Sequence, residues 1–144
     1  MLCFGWYSKS QLINSYFTGP PGVGKSTVIV AIQTFARLWG QPNSVIVVAF
    51  THAASNNARG QTLHSAFYLP TMNGSSVLAD CTPAHARILL QCRLVIVDEV
   101  GQTGRHLISL MSERLRQIHG NALRYGGVDV TLSLDWLQVL RSFK

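Results

Sequence analysis

The stretch NSYFTGPPGVGKST, Asn14 to Thr27, decides how this chain is read. Its first five residues have the composition of a short strand, and Gly19, Gly22, Gly24, Lys25 and Ser26 complete the pattern GxxxxGK[ST]. Glycines at those places permit torsions that turn successive backbone N–H groups onto one anion. Lys25 adds a cation at the outer phosphates, and Ser26 offers a hydroxyl to Mg²⁺. A helix predicted from Lys25 to Trp39 would bring its positive end to the same point. Gly19, Pro20, Pro21, Gly22, Val23, Gly24, Lys25, Ser26 and Thr27 are therefore expected to wrap the phosphates of a nucleotide.

Outward from this loop, apolar runs alternate with amphipathic stretches, the pattern of parallel strands joined by crossover helices. The helix after the loop places Val28, Ile32, Phe35 and Ala36 at helical spacing and stops at Gly40. Val45 to Phe50 reads as a strand buried on both faces. A short helix is expected over Ala53–Arg59, and another begins at Thr82-Pro83, a cap followed by proline. LVIVDEV, Leu94 to Val100, places Asp98 at the carboxyl end of a buried strand, where sheets of this class bind ligands. Asp98 would join Ser26 around Mg²⁺, and Glu99 could orient and deprotonate an attacking water. A helix over Gly104–Ile118 carries Leu107, Leu110, Met111, Leu115 and Ile118 on one face, with Arg114, Arg116 and His119 near its negative end. Gly126-Gly127 is a turn before a last strand, Val128 to Leu134. Leu69 to Asp80 has the composition of a loop.

The bulk properties agree with one packed unit. The chain has 144 residues, 47% hydrophobic and only 12% charged, which excludes a disordered polar segment. Twelve Lys and Arg against six Asp and Glu give a net charge of +6, and nine of the cations are Arg. That balance suits phosphate-bearing partners, or simply a solvated basic surface. Cys3, Cys81 and Cys92 show no paired spacing, as expected of reduced intracellular thiols. The scattered histidines show no zinc spacing, and the apolar runs are too short for a membrane span. No targeting segment is expected at MLCFGWYSKS.

Two further stretches narrow the class. VIVVAFTHAASNNARGQTLHSAF (Val45–Phe67) and VIVDEVGQTGRHLISLMSERLRQI (Val95–Ile118) resemble the Pif-type, RecD-like DNA helicases of superfamily 1. The matching positions are Thr51, Ala53, Ala54, Asn57, Gly60, Thr62, Leu63, His64, Ser65 and Phe67, then Asp98-Glu99 and the Arg114-Leu115-Arg116 tail. YGGVDVTLSLDWLQ (Tyr125–Gln138) is similar to the family's third motif through Asp135, Leu137 and Gln138. The resemblance implies an α/β, RecA-like P-loop NTPase domain, a parallel sheet flanked by helices, that couples ATP hydrolysis to 5′-to-3′ movement on single-stranded DNA. It would occupy residues 14–138, after a poorly defined segment 1–13 and before a tail, 139–144. ATP and Mg²⁺ are the implied cofactors. Lys25, Glu99 and Gln138 are the implied catalytic group, with Gln138 sensing the γ-phosphate.

The same resemblance puts Thr51, His64, Ser65 and Phe67 against the DNA strand. Their chemistry also permits plainer roles: a strand-end cap for Thr51, a structural imidazole for His64, a core ring for Phe67. Family roles in DNA repair, recombination or telomere maintenance would follow, in the nucleus or mitochondrion of a eukaryote. Gly101 stands where the family has Ser, and Leu134 where it has Gly. Leu140 and Arg141 replace a Pro-Pro pair, and no glutamine stands at the upstream place where the family reads adenine. The second motor domain is missing from the sequence, so a fragment unable to unwind DNA alone is expected. A non-catalytic nucleotide- or DNA-binding remnant and a clamp-loader-like ATPase are the alternatives.

Overall fold

A computed structural model describes residues 3–9, 12–57, 59–70, 81–102 and 104–135. The strands are β1 (Cys3–Lys9), β2 (Leu12–Thr18), β3 (Val45–Ala49), β4 (Gln61–Thr62), β5 (Leu94–Asp98) and β6 (Asp129–Leu134). The helices are α1 (Lys25–Leu38), α2 (His52–Asn57), α3 (Leu63–Phe67), α4 (Pro83–Gln91) and α5 (Arg105–His119). One sheet contains all six strands in the order β1-β2-β6-β5-β3-β4. Five of them run parallel, from β2 to β4; β1 alone is antiparallel, paired with β2.

The parallel part follows from burial on both faces. On one face Phe17, Val47 and Ile96 pack beneath Ile29 of α1. On the other, Val48, Val95 and Val97 pack against Leu63 and Phe67 of α3, Leu89 of α4, and Met111 and Leu115 of α5. The alternation of strand side chains between two apolar layers explains the β-branched runs without polar interruption. Cys92 lies in the second layer, where burial pushes its thiol up to about 12 and leaves it inert.

Most expected elements are present, with informative exceptions. The segment 1–13, expected to be poorly defined, includes β1 and the start of β2, an antiparallel pairing that extends the sheet edge. On α1 the buried residues are Ile29 and Ala36, whereas Phe35 is 57% exposed with its ring edge-on to Trp39. The helix lies on the sheet along one narrow stripe, so the outer aromatics stay in solvent. α2 starts and ends earlier than expected. Beyond it Gly60 passes over the Val47 carbonyl so closely that a Cβ would sit 2.4 Å from that oxygen. A residue with a side chain at position 60 would therefore clash with β3. Arg114, expected to serve the end of its own helix, is fully buried instead. Its Nε and Nη2 donate to the carbonyls of Phe67 and Tyr68, at 2.9 and 3.0 Å, and so cap α3. Trp136, Leu137, Gln138, Leu140, Arg141 and residues 71–80 lie outside the described residues.

Candidate nucleotide site and a second groove

The carboxyl ends of β2, β6, β5 and β3 lie side by side, and the first candidate site is built there. After β2, Gly22 (φ 83°) and Gly24 (φ 91°) take the left-handed conformation that side chains resist. Gly24 is also the N-cap of α1, which has no side-chain cap and no acid in its first turn. The first N–H groups of α1 thus lack the partners a capped helix has, and an anion would satisfy them. Lys25 curls back within the loop, its Nζ donating to the carbonyls of Gly19 and of Pro20, the latter at 3.0 Å. Phosphate oxygens would compete for the same ammonium.

Asp98 closes β5 in a buried position. Glu99 follows with φ 52°, and its N–H donates to Asp98 Oδ1 at 3.0 Å. Burial, then the charges of Asp98 and Asp135, raise the Glu99 carboxyl above its ordinary range, while Lys25 opposes the shift. A raised carboxylate is the better proton acceptor, as a general base requires.

A cavity of about 370 Å³ collects these groups: Pro21, Gly22, Gly24, Lys25, Ser26 and Thr27 from the loop side, Asp98 and Glu99 from β5, and Ser133, Leu134 and Asp135 from β6. Gly19 and Pro20 serve the loop through their carbonyls, and Val23 is half-buried within it. The donor set suits Mg²⁺, which keeps most of its waters and takes only one or two protein oxygens beside those of phosphate. Asp98 and Ser26 would supply these. Among the described residues no cluster of three or more His, Cys, Asp or Glu forms a metal cage. Ser133 and Asp135 join the site without being singled out for it by the sequence. Asp135 could have been found from the third motif, but Ser133 carried no signal, being one of three polar residues alternating with apolar ones in β6. A cavity of similar size, about 380 Å³, lies at the β3–β4 edge and contains no acid. Volume alone does not mark the site.

The Thr51–Phe67 group divides. Thr51 Oγ1 accepts from the Ala54 N–H at 3.2 Å and caps α2. Thr62 Oγ1 likewise accepts from Ser65 N at 3.3 Å and caps α3. Ser65 is exposed, His64 is half-buried, and the His64 ring lies 6.4 Å from that of Phe50. Phe67 has no accessible surface. The expectation that it meets DNA is corrected: its ring is a core side chain of α3, enclosed between sheet and α5. Tyr68, the next residue, is exposed like Phe50, and its ring sits edge-on to His85 at 4.4 Å. His64, Ser65, Tyr68, Leu69, Pro70 and His85 line a groove of about 440 Å³. No residue of it is shared with the first cavity.

The phosphate loop, the acidic pair at the end of a central strand and the parallel sheet between helical layers define a P-loop NTPase domain of the RecA-like class. Within that class the chain belongs to the PIF1-like helicase family, whose family model matches residues 7–143. It is 28% identical over 133 residues to the ATP-dependent DNA helicase PIF1 of Danio rerio, and 28% over 137 residues to the ATP-dependent DNA helicase PIF7 of Trypanosoma brucei brucei. These alignments take in 88% and 86% of this chain but only 20% and 13% of the relatives. The crystal structure of the Bacteroides Pif1 helicase in complex with ADP-AlF3 and ssDNA superposes with a TM-score of 0.71 at 26% identity, covering 88% of this chain and 32% of that one. Bacteroides Pif1 in complex with ADP-AlF4 gives 0.71 at 28% identity, covering 85% and 28%. Membership of this family sets aside the clamp-loader reading.

Proposed function

We propose that the chain is the first motor domain of a Pif-type DNA helicase, binding ATP·Mg²⁺ and hydrolysing it in response to single-stranded DNA. The supporting observation is the common cavity that unites Lys25 and Ser26 with Asp98 and Glu99. The motor unit would run over residues 14–138 with 139–144 as a tail, although β1 extends the sheet beyond it. Residues Gly19 to Thr27 would wrap the phosphates, with Lys25 leaving the Gly19 and Pro20 carbonyls for the β- and γ-oxygens. Ser26 and Asp98 would hold Mg²⁺, which supplies charge neutralisation at the phosphates. Glu99 would align a water behind the γ-phosphate and accept its proton. Gln138, outside the described residues, would sense that phosphate.

The chain spans about a fifth or less of the two curated relatives compared, and unwinding with 5′-to-3′ stepping is proposed of the whole protein. A second motor domain would contribute the cation that phosphoryl transfer commonly needs, worth roughly 10³–10⁵ in rate in other enzymes. DNA would pass over Thr51, His64 and Ser65, with Tyr68 as the stacking ring in place of Phe67. Work inside the cell, in repair, recombination or telomere maintenance, in nucleus or mitochondrion, accords with the relatives' being DNA helicases. Mg²⁺ as the natural ion accords with the oxygen donors.

Leu134 supports a second reading, a nucleotide binder without turnover, because an apolar side chain stands in the cavity wall. ATP hydrolysis measured with and without single-stranded DNA separates the two, with Lys25→Ala as the blank. DNA-stimulated turnover lost in Lys25→Ala is the expected result. Nucleotide retention with no turnover under either condition would favour the second reading.

A further inference from the structure

Ser133 is fully buried, and its Oγ has no hydrogen-bond partner among the described residues. A buried hydroxyl without a partner is costly, and native folds rarely leave one without a use. Its place in the sheet shows where it points. Ser133 is the register partner of Phe17 on β2, and Phe17 belongs to the layer beneath α1. Register partners in a parallel sheet project to the same face, so Ser133 faces α1 as well.

On its other side, β6 pairs with β5 through Val97↔Leu132, and one step further brings Asp98 abreast of Ser133. Asp98 lies two residues beyond Ile96, which is also in the layer beneath α1, so the carboxylate and the hydroxyl share that face. Both line the cavity that contains Ser26, at the start of the same helix. Thr18 Oγ1, another buried hydroxyl without a partner among the described residues, follows Phe17 and so faces the opposite side.

We propose that Ser133 is a positioning residue for the divalent cation, its hydroxyl holding a metal-bound water in the cavity it shares with Asp98 and Ser26. Resting on the nucleotide-site reading, this extends the cation's surroundings from the first turn of α1 and the end of β5 to the end of β6. It acts through the water and touches neither phosphate nor nucleophile. Because Mg²⁺ retains most of its waters, a fixed acceptor or donor for one of them sets the ion's orientation.

The test uses the 144-residue chain, wild type and Ser133→Ala, with fluorescent ADP titrated in Mg²⁺ and again in EDTA. The quantity read is the ratio of the two affinities. Expected is a roughly three- to tenfold smaller gain from Mg²⁺ in Ser133→Ala, the loss of one hydrogen bond. The melting temperature without metal or nucleotide should be equal or higher, since an unsatisfied hydroxyl has been removed. An unchanged ratio overturns the proposal, as does a lowered melting temperature with affinity lost equally in both arms, which would mark a structural role. Absence of nucleotide binding by the wild type would instead overturn the reading of the whole site.

Discussion

The phosphate loop and the Thr51–Tyr68 segment both carry motifs, yet they differ in how far a motif predicts its own geometry. In the loop, Pro21 to Thr27, Val23 excepted, line the cavity, because the device is made of backbone: left-handed glycines, free N–H groups and a helix start. In the second segment the side chains carry the meaning, and packing redirects them. Thr51 and Thr62 turn inward to cap α2 and α3, Phe67 enters the core, and Tyr68, with no motif role, takes the solvent side. Motifs built from backbone torsion are local, whereas those built from side-chain direction depend on the rest of the fold.

The largest test of this contrast is Glu99→Gln. Turnover should fall by roughly 10²–10⁴ while nucleotide remains bound, because a general base is lost and the loop is untouched. The sign of the pH effect is also set. The carboxyl is raised in the fold, so ionisation there is resisted and the native state bears that cost above the raised value. Glu99→Gln should therefore melt higher than wild type at neutral pH, with the difference closing as pH falls and Glu99 protonates. A lower melting temperature for the variant at neutral pH would contradict the placement of Glu99 among acids.

Phe67→Ala should cost about 3–5 kcal/mol in a urea unfolding titration, as for a large ring removed from a closed core. A loss under about 1 kcal/mol would return Phe67 to the surface and restore it as a candidate DNA contact. Tyr68→Ala is the counterpart: stability nearly unchanged, and single-stranded DNA affinity lower by about 1–3 kcal/mol by fluorescence anisotropy. DNA binding indifferent to Tyr68 would separate the groove from the DNA path. Smallest is Thr62→Ala, expected to cost about 1 kcal/mol through the lost cap of α3. No change there would mean that Arg114 alone holds the helix.

How much of the fold was legible can be read from particular elements. β3 and β5 were visible as apolar β-branched runs, and α4 from its Thr82-Pro83 start. β4 and α3 were not, since two and five residues are too short for any periodicity. β1 was hidden because an edge strand paired to one neighbour needs no distinctive composition. Phe35 and Phe67 sit alike at apolar helical positions, but only Phe67 has a sheet and a second helix to meet.

What the sequence by itself determined was the phosphate loop, the acidic pair and the family, because each resides in consecutive residues whose chemistry acts through local backbone. Tertiary structure alone decided that Ser133 and Asp135 join the cavity, that Arg114 reaches the end of α3, and that Phe67 is buried while Tyr68 is exposed. These depend on which strands become neighbours and which helix face meets them. Register and packing across more than thirty residues set such partners, and no short stretch contains that information.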